Sequence, residues 1–108
     1  RFNGSGEFEI MGRADDVINS GGVKIFPQDV ERWMSPFMKG DFAIAKTPHP
    51  SLGEQVICLY VSNEENLDQD FWRIIFMEHP FWRPKQFILV ERLPYNTNGK
   101  LNRNWNVE

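Results

Sequence analysis

Asp16-Val17-Ile18-Asn19-Ser20-Gly21-Gly22-Val23-Lys24-Ile25 reads as a strand, a turn and a second strand. The flanking runs are short and β-branched, and the adjacent glycines permit the positive backbone dihedrals of a tight reversal. Pro27 follows at a place suited to the first turn of a helix. Behind it Val30, Trp33, Met34 and Phe37 fall at helical spacing among Asp29, Glu31 and Arg32. That pattern predicts one amphipathic helix running to about Ser35, its apolar stripe facing a core.

Further along, Phe42 to Lys46 and Gln55 to Val61 are apolar, partly β-branched runs, and they predict adjacent strands joined by a loop from Thr47 to Gly53. After a polar linker from Ser62 to Asn66, Asp68 is placed to cap a helix. Phe71, Ile74 and Ile75 would share its buried face, and Pro80 would stop it. Phe87 to Val90 gives another strand. On the N-terminal side, the turn signal Asn3-Gly4-Ser5-Gly6 precedes Phe8 and Ile10 alternating with Glu7 and Glu9, which predicts a short hairpin. The expected class is α+β: helices on one side of a three-stranded sheet, plus an N-terminal β-hairpin.

The whole sequence has 108 residues and 12.7 kDa, the size of one compact domain. Hydrophobic residues make up 41% of it, enough to offset chain entropy and exclude intrinsic disorder. A net charge of -3 and a pI near 5.4 provide no broad basic surface, which argues against nucleic-acid binding through phosphate neutralisation. Cys58 is the only cysteine, so no intrachain disulfide forms and a cytoplasmic location is expected. His49 and His79 lie at no close ligand spacing to it, so no metal site is expected. No apolar run approaches the roughly 20 residues of a membrane-spanning helix. The start Arg1-Phe2-Asn3-Gly4 has the character of neither a signal peptide nor an initiator region, so the chain reads as a fragment.

Two segments carry more than fold. One is Gly12-Arg13-Ala14-Asp15-Asp16-Val17-Ile18-Asn19-Ser20-Gly21-Gly22-Val23-Lys24-Ile25, with Pro27 and Val30-Glu31 after it. The other is Leu93-Pro94-Tyr95-Asn96-Thr97-Asn98-Gly99-Lys100-Leu101-Asn102-Arg103. A phosphate-binding loop is excluded at Gly99-Lys100, because the upstream glycine is missing and Leu101 stands where a metal-binding Ser or Thr is needed. In this order and separation the two segments resemble the hinge motif and the terminal lysine motif of the adenylate-forming superfamily: acyl-CoA synthetases, peptide-synthetase adenylation domains and luciferases. Pro48-His49-Pro50-Ser51-Leu52-Gly53-Glu54-Gln55-Val56 also matches the loop and strand between those motifs, so the resemblance covers nearly the whole chain. Within the superfamily, the wording from Asp16 to Ile25 is most similar to the o-succinylbenzoate–CoA ligases of menaquinone synthesis.

The resemblance implies that residues 1–108 are the small C-terminal lid of a larger ligase, supplying part of an active site without being a whole enzyme. Its partner would be its own N-terminal domain, and its substrates ATP with Mg2+, a small carboxylic acid and coenzyme A. One lid orientation would form an acyl-adenylate and the other would let the coenzyme A thiol attack it. Asp15 matches the hinge position, where a short polar side chain can exchange hydrogen-bond partners as its dihedrals change; read alone, it is a turn-stabilising aspartate. Lys100 matches the catalytic lysine, whose ammonium would align carboxylate and α-phosphate, although an isolated surface lysine is merely solvated. Arg13 matches an arginine near the nucleotide. Gly21 and Gly22, otherwise turn glycines, match a loop lining the pantetheine tunnel. Lys24 lies where relatives carry a basic residue near the nucleotide end of coenzyme A, and a solvated strand-edge lysine is the plain alternative. Two departures limit the inheritance: Asn19 replaces a common lysine, and Asn98 a common serine. A second reading is a binding module that keeps the lid fold without catalysis, motivated by Trp72, Phe76, Phe81 and Trp82, which equally suit core or domain-interface packing.

Overall fold

The computed structural model describes residues 16–105. Strands β1 (Ile18–Ser20) and β2 (Val23–Ile25) form the antiparallel hairpin expected from the sequence, pairing Ile18 with Ile25 and Ser20 with Val23. Gly21 and Gly22 make the reversal at φ values of 58° and 87°, a region that L side chains avoid. Helix α1 (Pro27–Met34) starts with Pro27 and buries Val30 and Met34, then tightens into a 3-10 turn at Ser35–Phe37.

Strands β3 (Phe42–His49) and β4 (Gly53–Tyr60) are antiparallel over their full length, from Phe42 opposite Tyr60 to His49 opposite Gly53. Both run further into the expected loop than the composition suggests. Pro48 is tolerated because β3 ends the strand order β2-β1-β4-β3, and proline is acceptable where an edge amide needs no partner. The turn that remains is locked by His49, whose Nδ1 accepts from the amides of Ser51 (3.1 Å) and Leu52 (2.9 Å). Gly53 then resumes the strand at φ 88°.

Helix α2 (Gln69–Ile75) is capped as expected by Asp68, whose side chain accepts from the amide of Asp70 at 3.0 Å. Its buried face differs from the sequence reading. Trp72 and Phe76 are 1% exposed, Phe71 and Ile75 flank them, and Ile74 points outward at 63% exposure. The residues at 71, 72, 75 and 76 share a helical face, and the largest side chains take the deepest places because they bury the most apolar area. A 3-10 turn at Pro80–Trp82 follows, and its Trp82 stacks on His79, against whose edge Trp33 of α1 packs.

Strand β5 (Gln86–Leu89) runs parallel to β4, with Ile57 opposite Gln86 and Tyr60 opposite Leu89. The class is α+β, as expected. Among the described residues the sheet has five strands, because the hairpin joins it through Ser20 opposite Gly53 and a 2.9 Å bond from the Gly21 amide to the Leu52 carbonyl. The hairpin expected between Gly6 and Met11 lies outside the described residues. Both sheet faces are covered. Val56 and Cys58 meet Ile44, α1 and α2, whereas Ile57 and Leu59 meet Ala45, Ile88, Leu93 and Trp105, which follows from the two-residue period of a strand.

The packing sets a contrast for mutagenesis. Trp72→Ala should cost about 3–5 kcal/mol, a large part of a domain's usual stability of about 5–15 kcal/mol, and Ile74→Ala should stay within about 0.5 kcal/mol. Urea unfolding followed by far-UV circular dichroism checks both, and equal losses would contradict the observed face.

Candidate functional site

The segment after β5 folds into a second hairpin built around one side chain. Tyr95 and Leu101 form an antiparallel bridge, the Asn96 amide donates to the Lys100 carbonyl (2.7 Å), and the Asn102 amide donates to the Pro94 carbonyl (2.8 Å). Asn96 Oδ1 accepts from the amides of Asn98 (2.9 Å) and Lys100 (3.0 Å), and the Gly99 amide donates to the Asn96 carbonyl (3.0 Å). An asparagine side chain bonding amides two and four residues on is a local turn device. Gly99 closes the tip at φ 79°. Lys100 emerges there exposed, and no acid among the described residues pairs with it. It borders an open cleft of about 420 Å³, lined also by Asp16, Asn96, Leu101, Asn102, Arg103 and Asn104.

Arg103 fastens this hairpin to the body of the domain. Its Nη1 donates to Glu31 Oε2 at 2.5 Å and to the Ile44 carbonyl at 2.8 Å, and its Nε lies 3.7 Å from Asp16 Oδ2. Its side chain is only 10% exposed. Glu31 Oε2 also accepts from the Ile44 amide at 2.8 Å. The backbone is held as well, because the Lys46 amide donates to the Arg103 carbonyl (2.8 Å) and the Trp105 amide to the Lys46 carbonyl (2.9 Å). Residues 103–105 thereby cover the outer edge of β3.

A second group of charges holds the segment that leads into β1. Lys46 Nζ donates to the Val17 carbonyl (2.9 Å) and pairs with Glu54 Oε2 (3.4 Å), while Glu54 Oε1 accepts from the Asn19 amide (2.8 Å). Asn19 is thus fixed through its backbone.

The expected site residues separate into two places. Lys100 borders the cleft, beside Asp16, which was not among the expected site residues but follows the expected hinge residue in sequence. Gly21 and Gly22 lie exposed in the β1–β2 turn, Lys24 is exposed on β2 opposite Asn19, and none of the three lines that cleft. A Cβ on Gly22 would meet nothing within 4 Å, whereas one on Gly21 would come within 3.3 Å of Leu52 Cδ2. Arg13 and Asp15 lie outside the described residues. Sequence reasoning missed Arg103, Glu31, Lys46 and Glu54. Arg103 closes the lysine motif and Glu31 the hinge motif, but 72 residues separate the two partners, and nothing in the sequence pairs them.

Of the four aromatics that motivate a binding module, Trp72 and Phe76 lie in the core and Trp82 is half-buried, which leaves Phe81 exposed. Cys58 is fully buried. Burial pushes its thiol far above the ordinary range, and the Glu31 and Glu65 carboxylates push the same way, so it is no nucleophile. Iodoacetamide at pH 8 should leave Cys58 unmodified in the folded protein and alkylate it in urea, read by intact mass; rapid labelling of the folded form would contradict this burial.

Comparison with profiles of protein families gives no match. Individual relatives do match. The chain is 31% identical over 98 residues to the 2-succinylbenzoate–CoA ligase of Listeria monocytogenes, covering 88% of this chain and 21% of that protein. It is 35% identical over 107 residues to the mitochondrial acyl-coenzyme A synthetase ACSM2 of Rattus norvegicus, covering 91% of this chain and 19% of that protein. Among solved structures, apo MatB of Rhodopseudomonas palustris superposes with a TM-score of 0.70 at 27% identity, over 85% of this chain and 19% of that one. A double mutant of the o-succinylbenzoate CoA synthetase of Bacillus subtilis gives 0.67 at 26% identity, over 84% of this chain and 19% of that one. The chain is homologous to AMP-forming acyl-CoA synthetases, in sequence and in fold. It spans about a fifth of the length of the curated relatives it matches.

Proposed function

We propose that this chain is the C-terminal lid of an ATP-dependent acid–CoA ligase, working in the cytoplasm against its own N-terminal domain. The observation that carries the reading is Lys100, an exposed cation without an acid partner among the described residues, on a hairpin whose conformation is fixed by Asn96 and whose base is fixed by Arg103. A long flexible cation on a rigid mount suits a cleft completed by another domain. In the adenylating orientation the Lys100 ammonium would hold an acid oxygen and an α-phosphate oxygen together as negative charge builds between them. Arg13 would add a guanidinium beside the nucleotide. Rotation about Asp15 would then withdraw Lys100 and present the Gly21–Gly22 turn and Lys24 to coenzyme A, whose thiol displaces AMP from the acyl-adenylate.

Among the described residues no cluster of His, Cys, Asp or Glu side chains could hold a metal. A Mg2+ ion accompanying ATP would therefore be held by the nucleotide and the other domain, and no step assigned to this chain passes through it. Among the same residues no helix is long and apolar enough to cross a membrane. For the acid, o-succinylbenzoate, and with it a place in menaquinone synthesis, is the first to test: both a ligase and a synthetase named for that acid are among the relatives.

In the full-length protein, Lys100→Ala should lower adenylate formation by about 100-fold or more. Thioester formation from supplied acyl-adenylate and coenzyme A should change little. Pyrophosphate release and thioester yield, measured separately, check this, and a parallel fall in both would overturn the assignment of Lys100 to one half-reaction.

Gly22→Leu should act in the opposite sense. A Cβ at Gly22 meets nothing within 4 Å, but φ 87° strains any L residue there, so Gly22→Ala serves as the control for strain alone. Beyond that control, Gly22→Leu should spare adenylate formation and lower thioester formation by about 10-fold or more, as a pantetheine passage is obstructed. Equal losses in the same paired assays would count against the tunnel role.

A further inference from the structure

We propose that Arg103 is a positioning residue for Lys100: its buried guanidinium locks the Lys100 hairpin to α1, β3 and Asp16, so that the lid carries its lysine as a rigid part. The inference rests on the reading of the chain as a moving lid, and it concerns a residue that touches no substrate.

The geometry is specific to a planar, permanently charged fork. Arg103 reaches the Glu31 carboxylate on α1 and the Ile44 carbonyl on β3 with the same nitrogen, and presents Nε towards Asp16 at 3.7 Å. A lysine carries its charge on one nitrogen at the end of a flexible stem, so it cannot face the Glu31–Ile44 pair and Asp16 from two separate nitrogens held in one plane, as Arg103 does. If holding the hairpin to the sheet were the whole task, an apolar side chain could do it, since charged groups gain little net stability on burial. Here the neighbouring positions already do that work: Trp105 packs beneath Ala45, Ile57 and Leu59, and residues 103–105 pair with the edge of β3 at Lys46. What the guanidinium adds is direction. It fixes where the base of the hairpin sits relative to α1, and it joins that base to Asp16, the residue immediately after the proposed pivot at position 15.

The consequence concerns one half-reaction. With the fork removed, the hairpin keeps its internal bonds through Asn96, Gly99 and Asn102, but its attitude relative to the body loosens. A displacement of about 1 Å at a reacting group costs on the order of 100-fold in rate. The thioester step, which does not use Lys100, is insensitive to that attitude. A purely structural arginine would affect both steps in proportion to the protein lost.

The test uses the full-length protein. Arg103→Lys retains the charge and removes the fork. The expected result is a fall of about 10-fold or more in kcat for pyrophosphate release, with KM for ATP and acid within about 3-fold, thioester formation from supplied adenylate within about 3-fold, and an unchanged far-UV spectrum. Asp16→Asn weakens only the longest arm, the 3.7 Å pair, and should give the same selectivity with a smaller loss, so the proposal stays open to refutation if Arg103→Lys fails to fold. Parallel loss of both half-reactions in whichever variant folds, or loss in neither, overturns the positioning role. Lys100→Ala, run alongside, separates the two readings. If it leaves adenylation intact, the lid assignment of Lys100 is wrong; if it abolishes adenylation while the fork variants do not disturb it, the positioning of Lys100 by Arg103 alone is wrong.

Discussion

The rest of the domain depends on β4 being sheltered on both faces and along both edges. Val56 to Tyr60 are buried without interruption, and a strand in that situation must have every backbone donor and acceptor paired, because water cannot reach them. β3 supplies one edge along all of β4. The other edge is shared: β1 takes the Gly53 end, the Lys85 amide bonds the Val56 carbonyl at 2.8 Å, and β5 pairs from Ile57 onward. That sharing brings the β1–β2 hairpin and β5 into one sheet. It also obliges the two faces of β4 to find separate cover, which the helices give on one side and residues 88–105 on the other.

Charge does a different task from the apolar core. The networks around Arg103 and around Lys46 both converge on residues 16–19: Arg103 meets Asp16, Lys46 meets the Val17 carbonyl, and Glu54 meets the Asn19 amide. Apolar contacts hold elements at a distance but allow sliding, whereas hydrogen-bonded ions of fixed direction also fix angle. The chain from Asp16 onward is accordingly fastened to the body at successive residues. On the proposed reading, in which the lid turns about position 15, that firmness keeps slack after the pivot from becoming error at the far hairpin.

Legibility in the sequence tracks how local the cause is. The Gly21–Gly22 reversal, the Pro27 helix start, the Asp68 cap and the positive φ of Gly99 each follow from a residue and its immediate neighbours. The buried face of α2 was misread because Phe71, Ile74 and Ile75 have suitable hydrophobicity, while the choice of Trp72 and Phe76 is made by Phe87, Cys58 and Val30 from elsewhere in the chain. The length of β3 was underestimated because Thr47, Pro48 and His49 look like a loop until their place at the sheet edge is known. At the candidate site, Lys100 and the glycine turn were legible as motifs, and the Arg103–Glu31–Asp16 connection was not.

The sequence by itself determined the class of fold, the two motif segments and the family they resemble, because strand period, turn glycines, caps and motif wording are written in consecutive residues. Only the tertiary structure decided which residues stand behind Lys100, that the β1–β2 hairpin belongs to the main sheet, and that Lys100 and Gly22 do not share a cleft. Those facts are set by contacts between segments tens of residues apart, chosen through competition for the same buried edge and the same buried charge, and no local pattern records how that competition ends.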